Sequence, residues 1–87
     1  MSAAAQILQF IRTEISTAPG ERVGPTSPLF SDGLLDSLNL VELIAFLETQ
    51  FAIRIGASEL VCENFDTVDH IAAFVARKQG RRLFPLP

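Results

Sequence analysis

The chain predicts an all-α fold: a small four-helix bundle with a long loop between helices one and two and a short third helix. Three observations carry that expectation. Apolar residues recur at helical spacing in separate stretches, Pro and Gly gather between those stretches, and no alternating run is long enough to name as a strand. At 87 residues, 48% of them apolar with seven Phe and no Trp or Tyr, the chain suits one domain burying about 60–65 % of its unfolded surface. That is room for a core, not for an enclosed active site.

Helix one is expected from about Ala3 to Thr17, with Ser2 as its cap. Ile7, Ile11 and Ile15 fall four apart on one face, and Leu8 and Phe10 widen the stripe. Pro19-Gly20 stops it. The stretch onward to Asp36, with Gly24, Pro25, Pro28 and Gly33, reads as a long loop anchored by Leu29, Phe30, Leu34 and Leu35. A connection of that length in a small domain is usually functional or held down by its own side chains.

Helix two is expected from Ser37 to near Phe51, with Leu40, Leu43, Ile44, Leu47 and Phe51 within one arc of about 100° that faces the core. Leu38, Val41 and Ala45 lie outside that arc, on the side leading away from Ser37, among Glu42, Glu48 and Thr49. This acid-ringed apolar group beside the serine is the candidate docking face. Phe46 points away from the core stripe and is expected to pack under the long loop. Ile53 and Ile55 alternate with Arg54 in a short extended link, and Ser58 is the expected cap of a brief third helix, Glu59 to Cys62. Asp66 or Thr67 caps the last helix, whose Val68, Ile71, Ala72 and Val75 face inward and whose Arg77 and Lys78 suit its C-terminal end. The domain is read as 1–79, with 80–87 a basic, proline-containing tail.

The formal charge of −3 hides an asymmetry. Residues 1–76 hold all ten acidic residues against three arginines, a net −7, while Arg77, Lys78, Arg81 and Arg82 make the end of the chain basic. An acidic body attracts basic partner surfaces and is a poor match for nucleic acid. The lone Cys62 excludes an internal disulfide and reads as a small buried apolar residue. No apolar run approaches the ~20 residues of a membrane span, and the N-terminus lacks a secretory signal, so the expected location is cytoplasmic.

Catalytic chemistry has little to work with. His70 is the only histidine, expected on the outer face of the last helix, and with one cysteine it makes no Cys–His metal cluster. There is no Walker loop, dinucleotide fingerprint or paired-carboxylate signature. Ser37 has no expected histidine partner for a hydrolytic triad. Taken alone, Ser37 is a helix cap, its hydroxyl accepting a first-turn N–H.

The longer context changes that reading. The hexapeptide GLLDSL, Gly33 to Leu38, lies inside LFSDGLLDSLNLVELIAFLETQF, Leu29 to Phe51, and NFDTVDHIAAFV follows from Asn64 to Val75. Together they resemble the acyl, aminoacyl and peptidyl carrier proteins, whose serine in an Asp-Ser-Leu motif receives a 4′-phosphopantetheine arm. The resemblance covers nearly the whole chain. It implies that Ser37 is the attachment point, with coenzyme A the donor, and that Asp36 belongs to the motif read by the phosphopantetheinyl transferase. A helix N-terminus tolerates the added negative charge.

Fatty-acid carriers typically show Gly-Ala-Asp-Ser-Leu-Asp and a strongly acidic second helix. Here Leu35 precedes Asp36, Asn39 follows Leu38, and Thr49 and Gln50 stand where acids are usual. The string LF-x-x-GLLDS is more similar to D-alanyl and other discrete aminoacyl carriers. The expected function is therefore a non-enzymatic, monomeric carrier of an amino acid or related acyl group as a thioester. An adenylating ligase or acyltransferase loads it, downstream biosynthetic enzymes unload it, and Leu38, Val41, Glu42, Ala45 and Glu48 meet the partners. The alternatives are an acyl carrier for fatty-acid or polyketide chains and, from another class, an unmodified helical adaptor that uses the same face.

Overall fold

The computed structural model describes residues 2–15, 23–31 and 35–83, with side chains through 80. Among them there are four α-helices and no strand. Helix α1, Ala3–Phe10, is capped as expected by Ser2, whose hydroxyl accepts the Ala5 N–H at 3.1 Å. It continues as a π-helical segment, Ile11–Ile15. There the Thr13 hydroxyl donates to the Gln9 carbonyl at 2.8 Å, a back-bond that competes with the regular ladder. Ile7, Ile11 and Ile15 are all buried. The expected end of this helix at Thr17, like Pro19-Gly20, Gly33 and Leu34, lies outside the described residues.

Helix α2, Ser37–Phe51, has the expected bounds, and Leu43, Leu47 and Phe51 are buried. Leu40 packs against the core while half-buried, and Ile44 is half-buried as well. The helix ends on Ala52 in the left-handed region at φ 54°. Phe46 differs from the expectation: among the described residues its ring contacts are with helices, not with the loop. Its ring stacks on Phe10 of α1 at 4.2 Å and meets the edge of Phe51 at 6.1 Å. An outward ring on one amphipathic helix gains more contact from a ring on the neighbouring helix.

The third helix also differs. Ala57–Glu59 forms a single 3₁₀ turn, and helix α3 is Cys62–Phe65, so Ser58 caps nothing and Cys62 begins the helix instead of ending it. The Glu59 carboxylate accepts the Gly56 N–H at 2.9 Å and pairs with Lys78 at 2.9 Å, which holds the 3₁₀ turn together. Extended Val61 then separates the two. Placing α3 later lets Phe65 enter the core, 5.3 Å from Phe74. It also leaves Cys62 exposed, contrary to the buried role expected of it.

Helix α4, Val68–Leu83, closes the bundle with Val68, Ile71, Phe74 and Val75 buried. Thr67 is its cap, the hydroxyl accepting the His70 N–H at 3.0 Å. The helix runs past residue 79, so the first residues of the expected tail are helical. The long loop is anchored from within: Val23, Leu29 and Leu35 are buried, and the Pro25 carbonyl accepts the Asp69 N–H at 3.0 Å.

Candidate functional site

Ser37 is the first residue of α2, and it is exposed. It is not the cap. That role belongs to Asp36, whose carboxylate accepts the Asn39 N–H at 2.9 Å, while the Asn39 side chain accepts the Asp36 N–H at 3.3 Å in a reciprocal capping box. The reading of Ser37 as the helix cap is thereby corrected. The Ser37 hydroxyl has no hydrogen-bond partner among the described residues. The backbone N–H groups of the first turn add the positive end of the helix dipole beside it. The helix start therefore keeps its cap whatever the Ser37 oxygen carries.

The residues expected to meet partners spread along α2 from this point. Leu38 is 70% exposed and Val41 63% exposed, and Ala45 and Glu42 are also exposed. The Glu42 carboxylate accepts from the Asn39 amide at 3.3 Å, so it extends the capping network. Glu48 stands apart: half-buried, it accepts the Ile55 N–H at 2.9 Å and ties the link after α2 back onto the helix.

Sequence reasoning missed a second apolar feature. Leu60 and Val61, exposed by 38% and 40%, join Phe30, Leu40 and Cys62 around a cleft of about 250 Å³. Leu40, one wall of the cleft, is one helical turn beyond Ser37 in α2. The adjacent Leu60-Val61 pair, in a segment too short to bury it, was the available signal. His70 is exposed on α4 as expected, and among the described residues no group of His, Cys, Asp and Glu is arranged to hold a metal.

Of the two residues offered as the cap of α4, Asp66 or Thr67, it is Thr67 that takes the role. Asp66 reaches across to the long loop, where one carboxylate oxygen accepts the Phe30 and Ser31 N–H groups, each at 3.1 Å. The other accepts the Ser31 hydroxyl at 3.0 Å. The Ser31 N–H chiefly holds this carboxyl below its usual range; partial desolvation opposes the shift, and the Phe30 N–H, the Ser31 hydroxyl and nearby His70 add to it. A carboxylate with a depressed folded pKa stabilises the fold fully above its ordinary value near 3.8, and that contribution fades as pH falls through the folded value. Asp66→Asn, which does not titrate, is accordingly expected to flatten the pH dependence of stability below about pH 4. Denaturant melts at stepped pH check this, and an unchanged slope would refute it.

A small helical bundle that presents an exposed serine at a helix start, beside apolar surface, is the architecture of a carrier domain. Residues 5–75 match the family described as phosphopantetheine attachment site, and the chain belongs to that family. It is 38% identical over 73 residues to the D-alanyl carrier protein of Lactococcus lactis subsp. cremoris, an alignment covering 84% of this chain and 91% of that protein. It is 42% identical over 77 residues to the lincomycin biosynthesis protein LmbN of Streptomyces lincolnensis, covering 88% of this chain but only 28% of that protein. A probable acyl carrier protein, PigG of a Serratia species, is 27% identical over 73 residues, 84% of each chain. Among the described residues no helix is long and apolar enough to cross a membrane.

Proposed function

We propose that this chain is a phosphopantetheinylated carrier for an amino acid or related acyl group, loaded by an adenylating ligase and unloaded by biosynthetic enzymes. Ser37 is the attachment residue and Asp36 the residue read by the transferase. One observation supports this most: Asp36 takes the capping role and leaves the Ser37 hydroxyl exposed, without a partner among the described residues. The attached group supplies a thiol on a flexible arm, where cargo rides as a thioester. The chain's own residues do the rest. The first turn of α2 offers N–H dipole to the phosphodiester, Asp36 keeps that turn formed, and Leu38, Val41 and Ala45 offer an apolar contact.

The amino-acid reading is supported by the similarity to D-alanyl carrier proteins and by the few acids on α2. The PigG likeness keeps an acyl carrier as the second reading. Two steps separate them. Incubated with coenzyme A and a transferase, the chain is expected to gain the mass of one phosphopantetheinyl group, which an unmodified adaptor would not. The modified protein is then offered to an adenylating ligase from its own genomic neighbourhood and to a malonyl transferase, with thioester formation scored by mass. Aminoacyl product should dominate, because malonyl loading leans on complementary charge that Asn39, Thr49 and Gln50 do not provide. Efficient malonyl loading with no aminoacyl product would transfer the assignment to the acyl carriers.

A further inference from the structure

Hydrogen bonds join the α3–α4 junction to Leu29 and, through Leu29, to Leu35, two residues before the serine. The Asp66 carbonyl accepts the Leu29 N–H at 2.6 Å, and its carboxylate holds Phe30 and Ser31 as described. The Leu29 carbonyl in turn accepts the Leu35 N–H at 3.0 Å. Leu35 is buried, and the next two residues are the cap Asp36 and Ser37. Asp66 therefore grips Leu29–Ser31, and Leu29 in turn holds Leu35 at the entry to α2. The same grip sets Phe30, a wall of the cleft beside Leu40.

We propose that Asp66 is a positioning residue: by clamping the Leu29–Ser31 turn it holds the approach to Ser37 in the arrangement that the transferase binds. This rests on the carrier reading of Ser37. The Asp66 carboxylate's hydrogen bonds go to Phe30 and Ser31, not to Asp36 or Ser37, so it acts through the turn. Without the clamp, the three donors of Phe30 and Ser31 turn to water and the turn samples other conformations. The transferase then binds only the competent fraction, which raises KM and spares kcat.

The test uses initial rates of mass gain on Ser37 with coenzyme A and a transferase, at a temperature where circular dichroism shows each variant fully helical. Asp66→Ala is expected to raise the KM for the carrier by about tenfold with kcat kept, as a competent population of roughly a tenth requires. Asp66→Asn is expected to restore most of it, since its amide oxygen still accepts both backbone N–H groups and its NH₂ donates to Ser31. If Asp66→Ala fails to fold, Ser31→Ala, which removes one bond of the clamp, is expected to raise KM by about threefold. In ¹H–¹⁵N spectra of the unmodified protein, the Phe30 and Ser31 amides should move upfield in Asp66→Ala and stay in Asp66→Asn. Unchanged KM in Asp66→Ala, or in Ser31→Ala where that variant stands in, overturns the clamp. So does an Asp66→Asn variant as impaired as the alanine, because that would mean that the transferase reads the charge itself. A wild-type chain that gains no mass overturns the carrier reading, a separate result.

Discussion

Ser37→Ala is expected to gain no phosphopantetheine under conditions that convert the wild-type chain completely, while its stability stays within about 0.5 kcal/mol of wild type. The loss is total because no other hydroxyl stands at the start of α2. The small stability change follows from the cap: Asp36 and Asn39 satisfy the helix start between them, and alanine is a good helix former at the position after a cap. Asp36→Ala separates the two roles from the other side. It removes the cap, costing about 0.5–2 kcal/mol, as well as the residue expected to be read by the transferase. Intact mass and denaturant melts on the three proteins decide the matter. Modification that persists in Ser37→Ala would sink the assignment of the attachment site.

The cap was within reach of the sequence. Asp36 and Ser37 are both capping residue types, but Asn39 lies three residues after Asp36, where its side chain can reciprocate, whereas Leu40 follows Ser37 at the same spacing. Helices α1, α2 and α4 were legible because their buried residues repeat at helical spacing: Ile7, Ile11 and Ile15, then Leu43 and Leu47, then Val68, Ile71 and Val75. What was not legible depends on partners distant in the chain. Whether Phe46 turns to a loop or to Phe10 is decided by how two helices pack, and a four-residue helix such as α3 carries no periodicity of its own. The bond between Asp66 and Ser31 spans 35 residues, and an aspartate ahead of a threonine looks locally like one more capping residue. Its role exists only once the loop has folded across the α3–α4 junction.

The same helix should answer oppositely to substitution on its two faces. Leu47→Ala is expected to lower stability by about 2–5 kcal/mol, the cost of lost burial plus the cavity left behind, and Leu43→Ala by a similar amount. Both residues are fully buried in the hydrophobic core. For a domain of this size, whose whole stability is on the order of 5–10 kcal/mol, either change removes a large share. Val41→Arg lies two residues before Leu43 but outward, with 63% of its surface already in water, so its effect on stability should stay within about 0.5 kcal/mol. Its effect on loading should be large. A guanidinium set between Leu38 and Ala45 must be desolvated against any apolar partner surface, and a central contact of that kind commonly costs more than about 1 kcal/mol of binding, several-fold or more in kcat/KM. Denaturant melts and loading kinetics on the modified proteins read the two effects separately. A Val41→Arg variant as unstable as Leu47→Ala would place the docking face in the core, and one loaded as fast as wild type would remove Val41 from the partner surface.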